Sequence, residues 1–217
     1  MNEPAALEAV DVTVLYDGHA VLEGFSMSLG AGETALLTGP SGCGKSTVLR
    51  CLLGFVAPKT GSVRLGGEPL NAETVWHLRR LLAYVGQEPE LGTGTVREVL
   101  ERPFHYRANA GLRDNLKRIG ALFERFGLGR ALLDKEAGDL SGGEKQRVAL
   151  IAAILLDRPI FLLDEVTSAL DRPGKENVAD YFRSRDDATV LLVAHDPELF
   201  SFADQVVPVG PGSGGAA

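Results

Sequence analysis

The chain has 217 residues, 45% hydrophobic and 24% charged, a composition that suits one sizeable globular domain with a core of its own. A net charge of −7 argues against a dedicated nucleic-acid binder, so no nucleic-acid partner is expected. Two cysteines, Cys43 and Cys51, are too few for a disulfide framework, the acidic N-terminal segment lacks the plan of a signal peptide, and no apolar run reaches the roughly 18 residues of a membrane span, so any membrane component is expected from another chain.

Residues 7–14 and 21–29 alternate apolar and polar side chains, which predicts two half-buried strands. Residues 33–38 predict a buried strand that enters the glycine-rich run GPSGCGKST, and a helix is expected to follow over about 44–55. The pattern then predicts a strand at 61–66, a helix over 72–82, a mostly helical stretch over 95–127 broken at Pro103, and a long helix over 141–157. A buried strand at 160–163, a helix after Pro173, a strand at 189–194, a short helix from Pro197 and a strand near Val206 complete the series. Strands alternating with helices imply an α/β fold with a parallel-rich sheet. Helix dominates from Gln87 to Asp157, which predicts an inserted helical lobe, and residues 210–217 are expected to be a flexible tail.

The run Gly39, Pro40, Ser41, Gly42, Cys43, Gly44, Lys45, Ser46, Thr47 matches G-x-x-x-x-G-K-S/T in full. Glycines let the backbone curl with its N–H groups inward, where they donate to phosphate oxygens, and the following helix turns its positive end to the same anion. Lys45 is expected to reach the β- and γ-phosphates, Ser46 to put its hydroxyl on Mg²⁺, and Thr47 to add a phosphate contact. Cys43 is read as a small space-filling residue. The bland alternative, a glycine-rich turn without a ligand, does not need the whole pattern between a strand and a helix.

Residues 160–165 read IFLLDE, a buried strand ending in two acids. Ligands of parallel α/β sheets collect beyond the carboxyl ends of strands. Asp164 is thereby placed to hold Mg²⁺, directly or through water, and Glu165 to polarise an attacking water.

Residues 140–147 read LSGGEKQR. Ser141 and Glu144 form a capping box, but a cap alone does not require Gly142 and Gly143 behind it. Small residues there leave first-turn N–H groups open to an anion. With this run the chain resembles the ABC ATPases, from Tyr16 to His195 and with the motifs in the family's order. The resemblance implies a P-loop NTPase core with an N-terminal antiparallel β portion and an inserted helical lobe. The expected division is one domain over 1–209, with 1–87 and 158–209 as the core and 88–157 as the lobe. It implies that Ser141, Gly142, Gly143 and Glu144 press on the γ-phosphate of ATP held by a second subunit, taken as a like chain.

It further implies that Tyr16 stacks on adenine, that Gln87 joins the lobes and approaches Mg²⁺ and water, and that His195 touches the γ-phosphate. Ser168, Ala169, Leu170 and Asp171 would form a loop crossing the dimer interface. The cofactors implied are ATP and Mg²⁺, and the catalytic set is Glu165, His195 and Gln87. The short segment before LSGGEKQR resembles that of separate ATPase subunits, which dock on an integral membrane permease at the cytoplasmic face. Docking is expected near 87–104, where Gly92 stands in place of the family's usual phenylalanine. The wording is similar to small bacterial subunits of the iron-export type. A soluble ABC ATPase acting on nucleic acid, ribosomes or cofactor assembly is the alternative, and a non-hydrolysing scaffold a third.

Overall fold

The computed structural model describes residues 5–194 and 196–210. The N-terminal alternation folds as an antiparallel hairpin of β1 (Leu7–Tyr16) and β2 (His19–Leu29). Asp17 and Gly18, at φ 49° and 82°, form the two-residue turn, the left-handed pair that matches strand twist. With β4 (Thr60–Leu65) and β5 (Glu68–Pro69) they make a four-stranded sheet in the order β2-β1-β4-β5.

The second sheet is parallel throughout, in the order β6-β7-β8-β3-β9. Its strands are β3 (Thr34–Thr38), β6 (Leu82–Val85), β7 (Ile160–Asp164), β8 (Thr189–Val193) and β9 (Gln205–Pro208). Every residue of β7 and β8 is buried, as expected for central strands covered on both faces. The period of two divides their side chains between two cores. Phe161, Leu163, Val190 and Leu192 face helices α3 (Val96–Glu101), α4 (Ile119–Arg125), α5 (Gly142–Leu155) and α6 (Arg172–Arg183). Leu162, Leu191, Ala35 and Leu37 face α1 (Lys45–Leu52) and the antiparallel sheet. The arrangement holds the ends of β3, β7 and β8 together at one edge, where the motifs lie.

One helical expectation is corrected and one refined. The helix expected over 72–82 is only α2 (Val75–Leu78) with a 3-10 turn at 79–81. The apolar run from Leu82 instead pairs with β7 as β6, because that edge offers a fully buried partner. The stretch 95–127 is mostly helical and broken at Pro103, as expected, but much of it is 3-10 helix. α3 starts at a capping box of Thr95 and Glu98 and gives way at Pro103, which has no N–H to continue it. Residues 107–118 then run in 3-10 conformation, with Asn109 their one fully buried residue and Leu112 and Leu116 packed partly buried against the core. Among the described residues no helix is long and apolar enough to cross a membrane.

Candidate functional site

The glycine-rich run connects β3 to α1 and sits against other backbone. A Cβ on Gly39, at φ 144°, would lie 2.4 Å from the Val209 carbonyl oxygen. On Gly44, at φ 107°, it would lie 2.9 Å from the Val21 carbonyl oxygen. Gly44 is also the N-cap of α1 and has no side chain to cap it, so the first-turn N–H groups are left for an outside acceptor. Lys45 Nζ donates to the carbonyls of Gly39 at 2.8 Å and Pro40 at 3.0 Å, which keeps the ammonium across its own loop. The half-buried Cys43 places Sγ 3.9 Å from that ammonium. Cys51, inside α1, is buried, and burial pushes its thiol up to about 11, an unreactive value.

A cavity of about 370 Å³ opens on Ser41, Gly42 and Gly44 through Thr47, and is closed by Val21, Gln87 and Glu165. Tyr16 does not line it. It ends β1 opposite His19, 41% exposed, on the hairpin that also carries Val21.

Asp164 closes β7, only 8% exposed. Burial pushes its carboxyl above the ordinary range and the neighbouring Glu165 charge adds to this, against a hydrogen bond from Ser46 and the positive charges of Arg50 and Lys45. A hydroxyl and a desolvated carboxylate in contact are hard oxygen donors of the kind Mg²⁺ takes. No group of three His, Cys, Asp or Glu residues that could hold an ion occurs among the described residues. A metal at Ser46 and Asp164 would therefore draw further oxygens from a nucleotide, which is how Mg²⁺ is usually held.

The burial cost has a consequence for the metal-free chain. A carboxylate whose folded pKa is raised destabilises the fold above that pKa, and the penalty disappears once the pH falls below the unfolded value. Asp164→Asn is expected to raise Tm at neutral pH by a few degrees, the effect of about 1 kcal/mol in a chain of this length. Thermal unfolding without nucleotide checks it, and the gain should vanish in acid.

Glu165 has φ 51°, a left-handed conformation uncommon outside glycine. Its N–H donates to Val193 O at 3.0 Å, and its carbonyl accepts from the Ser168 N–H at 3.0 Å. These bonds fix a sharp turn that brings the side chain to the cavity, the kind of local strain that collects at functional positions. His195 lies outside the described residues, while Val193, two residues before it, is in register with Asp164.

Ser141 caps α5 through a complete capping box. Its hydroxyl accepts from the Glu144 N–H at 3.3 Å, and Glu144 Oε2 accepts from the Ser141 N–H at 2.8 Å. These Ser141 bonds hold the Glu144 carboxyl below its usual range. A Cβ on Gly143 would stand 2.9 Å from the Ala169 carbonyl oxygen, so 168–171 pass directly against the tip of α5. Leu170 is buried beneath, and Asp171 caps α6 by accepting from the Gly174 N–H at 3.1 Å. Residues 141–144 and 168–171 thus share one patch, and none of 141–144 lines the phosphate-loop cavity. Sequence reasoning did not foresee the contact between Ala169 and Gly143, although two glycines after a capping serine signal close approach.

A larger groove of about 900 Å³ lies beside the cavity, lined by Tyr84, Leu91, Pro103, Tyr106, Ala152 and Leu156, with Ser46 and Asp164 at its inner end. Gln87 borders both concavities. Gln146, 1% exposed on α5, donates to Gly86 O at 3.1 Å and ties the helix to the segment just before Gln87. The groove lies in the stretch expected for docking, but α5 supplies one wall, which sequence proximity to 87–104 does not reveal.

Residues 22–168 match the family model described as ABC transporter. The chain is 37% identical to the probable iron export ATP-binding protein FetA of Escherichia coli, over 98% of this chain and 94% of that one. It is 36% identical to the energy-coupling factor transporter ATP-binding protein EcfA1 of Bacillus licheniformis, over 98% and 78%. Among solved structures it is similar to an ATP-binding cassette captured as a dimer in a post-hydrolysis state bound to ADP and Pi. That match has a TM-score of 0.82 and 26% identity, and covers 96% of this chain and 95% of the other.

Proposed function

The chain belongs to the ABC transporter family, and from that premise we propose that two copies close on ATP to drive a separate membrane permease. It is an ATP-binding subunit, and the family's activity is ATP hydrolysis coupled to transport. One observation carries the two-copy reading: the cavity is lined by the glycine-rich loop, Val21, Gln87 and Glu165 alone, and the glycine-bearing tip of α5 lies outside it. A γ-phosphate bound in the cavity would keep an open side, and the developing negative charge of the reaction needs donors there. A head-to-tail pair fills each cavity with the other copy's Ser141, Gly142 and Gly143.

In this reading Gly39, Pro40, Ser41, Gly42, Cys43 and Gly44 wrap the phosphates with backbone N–H groups. Lys45 leaves the Gly39 and Pro40 carbonyls for the β- and γ-phosphates, Thr47 adds a contact, and Tyr16 stacks on the adenine. Ser46 and Asp164, with Gln87, would hold Mg²⁺, which when bound neutralises phosphate charge. Glu165 orients and deprotonates the attacking water, Gln87 positions that water, and His195 holds the γ-phosphate. Asp171 and its loop meet the partner copy. Residues 88–157 act as the helical lobe, and the groove against it takes a short helix of the permease at the cytoplasmic face. An iron-export role is the finer reading, supported by the name of the Escherichia coli relative.

Ser141→Arg tests the shared site. The new side chain projects from the α5 tip without touching the cavity of its own copy. ATP binding to the monomer should stay within about twofold, while turnover should fall on the order of 10²-fold, the cost of losing a preorganised donor set. Nucleotide titration and phosphate release measure the two, and normal turnover would refute the arrangement.

A further inference from the structure

Arg80 and Arg158 stand side by side just ahead of strands β6 and β7. Leu82 and Ile160 are register partners in the parallel pair β6–β7, and each arginine lies two residues before its strand. Arg158 is half-buried, and its guanidinium donates to the Asn109 side-chain oxygen. The Asn109 amide donates in turn to Pro103 O at 2.9 Å. Pro103, Tyr106, Leu82 and Leu156 line the groove, so Asn109 ties Arg158 to its wall through Pro103, while Leu82 and Leu156 each stand two residues from one of the arginines. Burial, and then the charge of Arg80, make the protonated form of Arg158 less favourable than usual.

Two like charges this close, one of them partly desolvated, are costly without a counterion. Among the described residues neither arginine is in an ion pair, although nine ion pairs join other side chains. The adjacent carboxylate, Asp157, is turned to Arg118 at 3.4 Å. The chain has seven more acids than bases, so the missing counterion at this corner does not reflect a shortage of acids. Beside Arg80, Arg79 stacks between two rings, 4.4 Å from the centre of Phe55 and 5.4 Å from that of Trp76. Phe55 is 66% and Trp76 75% exposed. Exposed aromatics with arginines are the residues enriched in contact surfaces.

We propose that the helix of the membrane subunit received by the groove carries a carboxylate side chain that seats between Arg158 and Arg80. The carboxylate supplies the charge that the corner lacks, and the forked guanidinium of Arg158, already held by Asn109, is set to bind it. The inference rests on the docking reading above and assigns the partner's chemistry beside the groove.

The test uses the full-length chain and native membranes stripped of it, with protein-free phosphatidylglycerol vesicles in parallel. Arg80→Glu/Arg158→Glu and the milder Arg80→Gln/Arg158→Gln, which keeps a donor for Asn109, are each checked for unchanged ATP binding. Rebinding to stripped membranes should fall about tenfold or more for the reversed pair and less for the neutral one. Ala152→Trp fills the groove without changing charge and should also abolish rebinding. With Arg80→Lys/Arg158→Lys, a carbodiimide should couple one of the new amines to an Asp or Glu of a membrane protein, located by peptide mapping. If Ala152→Trp releases the chain but the arginine variants bind normally, docking stands and the carboxylate is refuted. If no variant releases it, the docking reading itself fails. Equal loss of binding to the protein-free vesicles would assign the corner to lipid headgroups and overturn the proposal.

Discussion

Glu165→Gln is expected to slow ATP turnover by on the order of 10²-fold or more while leaving nucleotide binding in place. The substitution keeps the size of the side chain and the two backbone bonds, to Val193 O and from the Ser168 N–H, that hold the turn at φ 51°. It removes only the negative charge and basicity at the wall of the cavity. Because hydrolysis is then slower than closure, the ATP-bound pair should accumulate. Size exclusion with light scattering should report a dimer with ATP and a monomer with ADP. Turnover at the parent rate would remove Glu165 from the reaction, and a monomer with ATP would contradict the shared site.

Lys45→Ala is expected to weaken nucleotide binding about 10- to 100-fold, the loss of a charge-assisted contact worth about 1.5–3 kcal/mol. Two of the ammonium's bonds also cross the loop, to Gly39 O and Pro40 O, so the loop itself should loosen. Titration calorimetry with ATP reads the first effect, and faster amide exchange over residues 39–44 the second. Unchanged affinity would mean that the phosphates bind elsewhere. Both substitutions leave the two cores intact, so unfolding midpoints should stay close to that of the parent chain.

Much of the site was legible because its chemistry demands adjacent residues. A phosphate loop must be glycine-rich between strand and helix, and Gly39 and Gly44 have the positive φ and the crowding that forbid a side chain. The run of four apolar residues before Asp164 announced a central strand, and all five residues of β7 are buried. Ser141 and Glu144 announced the start of α5 to the residue. What escaped depends on tertiary partners. Only Leu82 of β6 falls in an expected element, as the end of the helix over 72–82, because the strand needs the edge of β7 to form, and β5 is two residues long and follows a Gly66–Gly67 turn too brief to show a period. The 3-10 conformation of 107–118 leaves no mark in the sequence, where Leu112 and Leu116 stand four residues apart as they would on a regular helix. The closeness of Ala169 to Gly143 and the tie from Gln146 to Gly86 join positions far apart along the chain, which local pattern cannot reach.

Ser46 and Gln87 form a thin partition with a concavity on each side. A wall with two faces cannot be pressed from one without registering on the other, and equilibrium linkage then demands symmetry. By whatever factor an occupied groove changes the grip on nucleotide, bound nucleotide must change the grip on the groove's occupant by the same factor. With the permease docked as proposed, its affinity is itself a gauge of the fuel state, and it can be read without observing a single turnover.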